Sequence, residues 1–197
     1  MESGYVLAGY RVATVCDFPF WQENGLPGPR LLSMSDCVVE LMPADPDGWD
    51  HWFSSPQEAE TARDRAGRSN FHVLGVGFAA ADAPALVADI ADRGWDGSLN
   101  ERVDRRETFP GPGERRLGFE LVGFDVGTWH AWSCVDLVTV VRQAVGVRPG
   151  PDGLIQDEQD AHRAARWLTS SGLGDPKVFL WAAALLTEPS VGAPPGG

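Results

Sequence analysis

The stretch Leu117–Trp132, LGFELVGFDVGTWHAW, constrains the fold more tightly than any other part of the chain. Leu117–Phe124 is rich in strand-forming residues, Asp125-Val126-Gly127-Thr128 has the chemistry of a tight turn, and Trp129–Trp132 then runs back. A two-residue loop of this kind joins antiparallel neighbours, because parallel strands need a crossover of a dozen residues or more. With Val126-Gly127 as the loop, His130 is expected opposite Gly123, and Asp125 diagonally near it. The fold must therefore contain an antiparallel hairpin.

Helices are marked by their ends. Ser55, Pro56 and Glu58 form a capping box before Pro56–Ala66, with Gly67 as the stop. Asp82 is expected to cap a helix to Arg93, with Pro84 in its first turn, and Asp157 a helix from Glu158 to about Ser171, closed by Gly172. Ser133 with Asp136 predicts a further, mostly buried helix to Val145. Strand signals cover Tyr5–Cys16 and Phe71–Phe78. Leu31–Met42 fits a strand, or a short helix capped by Ser35 and Asp36; Lys177–Thr187 reads better as strand than as helix. Ser98–Arg116 is expected to be a surface connection or an edge hairpin. Strands and helices mix without a strict βαβ rhythm, which predicts an α+β fold: a mixed, mainly antiparallel sheet packed with about four helices. At 197 residues, one domain over residues 1–188 is expected, followed by a disordered Pro/Gly tail over 189–197.

The charge narrows the function. Twenty-eight acids against sixteen bases give −12, which opposes binding to a phosphate backbone or an anionic membrane. Neither a secretory leader nor an apolar run of about 18 residues is visible, so a cytoplasmic location is expected. The three cysteines, Cys16, Cys37 and Cys134, lack metal-ligand spacing, and neither a metal nor a cofactor is expected. No P-loop, HExxH or GxSxG occurs, and Gly75-Val76-Gly77-Phe78 is too short for a dinucleotide fingerprint.

Three groups of residues stand out. His130, Cys134 and Asp125 supply a base, a thiol and an orienting acid, the parts of a cysteine hydrolase or transferase; buried core roles for the histidine and cysteine are the alternative. Asp45, Asp47 and Asp50 with Trp49 and Trp52 form an acidic, aromatic stretch. Its spacing departs from a calcium loop, with Gly48 fourth and Pro56 where glutamate belongs. Phe18, Phe20 and Trp21 sit among prolines, either as a partner-binding patch or as a lid on the core. Glu120, the one acid inside a strongly predicted strand, must be edge-exposed or paired.

The hairpin Gly118–Asp125 with Trp129–Cys134, followed by Gly146–Ile155 and an alanine-rich helix, resembles a group of small bacterial proteins similar to the immunity proteins of polymorphic toxins. The resemblance covers about the last 80 residues. Trp129 stands where that group has phenylalanine, Ala131 where it has serine, and Gly150-Pro151 where asparagine is usual. It implies a binding protein and no catalytic residue. Together with the charge it favours an acidic protein that docks on a basic protein partner, such as a toxin, over the cysteine enzyme or a scaffolding domain.

Overall fold

A computed structural model describes residues 4–13, 15–16, 31–35, 52–93, 101, 105, 108–125, 127–133, 137–150, 152–173, 178 and 180–189. Strands β1 (Tyr5–Ala13), β4 (His72–Ala79), β6 (Arg115–Asp125), β7 (Thr128–Ala131) and β8 (Trp181–Glu188), with the short edge strand β5 (Thr108–Phe109), make one sheet in the order β5-β1-β4-β8-β6-β7. Every pairing in it is antiparallel. The two-residue strands β2 (Val15–Cys16) and β3 (Leu31–Leu32) pair separately. With helices α1 (Pro56–Arg65), α2 (Ala83–Asp92), α3 (Leu137–Val145) and α4 (Glu158–Ser171), the fold is α+β.

The hairpin forms in the expected register: Asp125 pairs with Thr128 and Gly123 with His130. Of Lys177–Thr187, the stretch from Trp181 on forms strand β8, which lies between β4 and β6 in the sheet. Trp181–Thr187 is buried throughout, on both alternating faces of the strand. α4 packs over β6 and β8, with α3 beside it, while α1 lies against β1 and β4.

Helix ends follow the capping chemistry in two cases and depart from it in a third. Ser55 accepts from the Glu58 N–H at 3.2 Å while Glu58 reaches back to the Ser54 N–H at 2.9 Å. Asp157 accepts from the Asp160 N–H at 2.9 Å, and Gly172 ends α4 in a left-handed conformation. Asp82 makes no side-chain cap; its carboxylate turns instead to His162, 3.2 Å away. An imidazole that can carry charge competes well with a backbone amide for that oxygen.

Other expectations are corrected in detail. Residues 108–116 form no hairpin, because β5 pairs with β1 whereas β6 pairs with β8 and β7. Of Leu31–Met42, only Leu31–Leu32 is strand among the described residues. The Ser35 hydroxyl donates to the Trp129 carbonyl at 3.1 Å, and residues 36–42 lie outside the described residues. The glycines of Gly75-Val76-Gly77-Phe78 have a packing role. A Cβ on Gly77 would sit 2.2 Å from Cδ1 of Phe109, whose ring crosses β4, and one on Gly75 would sit 2.5 Å from the Thr187 hydroxyl. Pro189, the first residue of the expected tail, is buried; residues 190–197 lie outside the described residues.

Candidate functional site

The hairpin places His130 and Asp125 on one face, two residues apart across the β6–β7 ladder. His130 Nε2 lies 4.0 Å from Asp125 Oδ2. The other carboxylate oxygen is 3.9 Å from Nη1 of Arg93, which also bonds Asp89 through Nε at 3.2 Å. Asp125 is thus shared between an imidazole and a guanidinium that ties the end of α2 to the hairpin. The space left by Gly123 is not filled by the imidazole, as its cross-strand position suggests, but by Val178: a Cβ on Gly123 would sit 2.0 Å from Val178 Cγ1. Cys134 lies outside the described residues. The flanking Trp129 and Trp132 are buried in the core.

Glu120 is neither at an edge nor exposed. β6 runs between β8 and β7, and Glu120 retains 1% of its accessible surface. Alternation along β6 puts it on the same face as Val122 and Phe124. There, Trp129 is met by Phe124, Phe78 and Trp52 at ring separations of 5.3, 5.8 and 5.9 Å. The carboxylate holds the segment 33–35 across this face. Ser33 Oγ donates to one oxygen in a short hydrogen bond, and the Met34 N–H donates to the other at 2.7 Å. Ser33 Oγ in turn accepts from the Ser35 N–H at 3.0 Å. Burial is the largest influence on the carboxyl and pushes it up to about 7, against the opposing pull of the Ser33 and Met34 hydrogen bonds, the Arg11 charge and the Ser133 hydroxyl. Arg11, on β1 and equally buried, also lies over the Trp52 ring, 5.2 Å from its centroid.

A carboxyl poised near neutrality is chemically suited to proton transfer. This one is closed off, with its oxygens bonded to a serine hydroxyl and a backbone amide, and its evident work is to clamp residues 33–35 to the sheet.

Of the expected contact residues, Phe18, Phe20, Trp21, Asp45, Asp47, Trp49 and Asp50 lie outside the described residues. Trp52 is described and faces inward, edge-on to Trp129 and beneath Arg11, so its ring surface is already covered by the chain itself. Arg11 and Ser33 were not singled out by the sequence, and Ser35 only as a candidate helix cap. One signal pointed to the first: Arg11 is the one charge in YVLAGYRVA, and Glu120 the one charge in the largely buried stretch LGFELVGF. Two buried charges of opposite sign are expected to meet.

Among the described residues, no group of three or more His, Cys, Asp or Glu side chains is placed to hold a metal ion, and no helix is long and apolar enough to cross a membrane. Comparison with protein-family models, with curated proteins and with solved structures finds no match.

Proposed function

We propose that the chain is a non-catalytic binding protein that docks an acidic surface on a basic protein partner, as the resemblance to immunity proteins implies. The observation that carries this reading is the excess of acids, −12 over the whole chain, together with the internal use of the arginines. Arg63, Arg93, Arg105, Arg115 and Arg163 each face a carboxylate of the same chain, on Asp64, Asp89, Glu101, Glu188 and Asp160. Pairing of this kind removes positive charge from the surface one for one and leaves the surplus negative. A protein that binds nucleic acid presents a positive cleft, and an acidic inhibitor gains steering and complementarity there. The segments around Phe18–Trp21 and Asp45–Asp50 are the proposed contact.

The test is titration calorimetry against the basic product of the adjacent reading frame at about 0.05 and 0.5 M salt, where screening lengths differ severalfold. A complex whose affinity drops at least about tenfold at high salt, and again when Asp45, Asp47 and Asp50 are all changed to Asn, is expected. No complex, or one indifferent to salt and to the triple change, overturns the reading.

A further inference from the structure

A cleft of about 240 Å³ opens between the start of α2, one face of α4 and the start of β8. Its walls are mostly apolar, with Ala81, Ala85, Ala165, Leu180 and Trp181 among them. The Thr169 hydroxyl fixes the far wall, accepting the Trp181 N–H at 2.9 Å and so tying the first residue of β8 to α4.

Two opposite charges stand at this apolar cleft. Asp82, with 53% of its side chain exposed, holds one oxygen 3.2 Å from His162 Nδ1. His162 is fixed from behind by the Tyr5 hydroxyl, 3.3 Å from Nε2, and by stacking on the Tyr5 ring. The carboxylate is therefore oriented through one oxygen, with acceptor capacity left on the other. Arg166, exposed, also lines the cleft, one turn beyond His162 on α4. One turn advances about 5.4 Å along the helix.

We propose that this cleft binds a free α-amino acid with an apolar side chain: its ammonium on Asp82, its carboxylate on Arg166, and its side chain against the alanines, Leu180 and Trp181. The charges suit this ligand, whose ammonium and carboxylate can answer an acid and a base that line one cleft. The size suits it too, since a cavity of about 150 Å³ accepts benzene and this cleft must also take the charged backbone. A ligand with a single charge would engage only one of Asp82 and Arg166. The proposal is independent of the acidic docking surface, which lies on other segments.

The experiment is calorimetric titration of the full chain with L-leucine, L-methionine and L-phenylalanine, and then with N-acetyl-L-leucine and L-leucine methyl ester. Saturable binding of at least one free amino acid with a Kd at or below about 1 mM is expected. Capping either end of leucine, or changing Asp82→Asn or Arg166→Gln, should weaken binding at least about tenfold. Ala85→Phe, at an exposed position, should block the cleft and abolish binding with Tm unchanged. No binding of any of the three at 10 mM overturns the proposal, as does binding that survives the caps; the caps act on the unaltered protein, so a misfolded variant cannot obscure the answer.

Discussion

Replacing Glu120 by Gln should make the protein more stable at pH 8 while leaving it nearly unchanged at pH 4.5. The carboxyl ionises at about 7 in the folded chain, raised from 4.5 chiefly by burial. Below pH 4.5 it is protonated in both folded and unfolded states. As pH rises toward 7 the unfolded chain gives up the proton and the folded chain keeps it, so the folded state binds more protons and stability falls. Above about 7 both states are ionised and the loss is complete. At about 1.4 kcal/mol per pH unit the gap amounts to about 3 kcal/mol. Glutamine reproduces the protonated form. Its carbonyl can accept the Met34 N–H and its amide can donate to Ser33 Oγ, as a protonated carboxyl would.

Urea unfolding followed by tryptophan fluorescence at pH 4.5, 6, 7 and 8, for wild type and Glu120→Gln, isolates the residue, because all other titrations cancel in the difference. The difference should be near zero at pH 4.5 and rise to about 2–3 kcal/mol in favour of Gln at pH 8. Glu120→Leu is the counterpart: it leaves Ser33 Oγ and Met34 N–H without acceptors and should lose about 2–4 kcal/mol relative to Gln at every pH. A difference that is flat with pH, or a Gln variant less stable than wild type at pH 8, would show that Arg11 and the two hydrogen bonds outweigh burial and hold the folded carboxyl at or below its ordinary value.

Two further changes test packing and capping. Gly123→Ala places a methyl 2.0 Å from Val178 Cγ1 and should lose about 1–3 kcal/mol by urea unfolding, part of it restored by Val178→Ala in the same chain; a neutral Gly123→Ala would contradict the packing. Asp157→Ala removes a cap on the Asp160 N–H and should lose about 1 kcal/mol, whereas Asp82→Ala, which removes no cap, should lose only a few tenths from a half-exposed pair. Equal losses by thermal unfolding would contradict that distinction.

What could be read in the sequence was local. The β6–β7 register follows from four turn residues, and the ends of α1 and α4 from Ser55, Asp157 and Gly172, because each feature is decided within a few residues of itself. The order of strands is not. Nothing near Trp181–Glu188 says that the last strand enters between β4 and β6. Its alanines, which locally favour helix, are suited to that place: Ala184 pairs with Phe78 on one side and Glu120 on the other, and a small residue between two large ones lets both reach across the face. Tertiary packing overrides propensity there. The clamp at Glu120 was legible only as a lone acid in an apolar strand, since its partners at 33–35 lie 86 and 87 residues away.

The placement of that buried acid bears on the proposed docking surface. The chain enters residue 36 from a segment held by Glu120, by the Trp129 carbonyl and by the Leu32 N–H bond to the Asp152 carbonyl at 3.1 Å. It leaves residue 51 into Trp52, beneath Arg11, and Phe53, whose N–H and C=O both bond Tyr10 at 2.9 and 3.0 Å. Arg11 also attracts Glu120, so one buried pair of opposite charges serves both ends of the acidic stretch. Fixing the ends of a segment before a partner arrives lowers the ordering entropy that association must overcome. An apolar pair in place of Arg11 and Glu120 would pack the sheet without that burial penalty, but it could not accept the Ser33 hydroxyl and Met34 amide, and the segment that precedes the acids would lose its hold on the sheet.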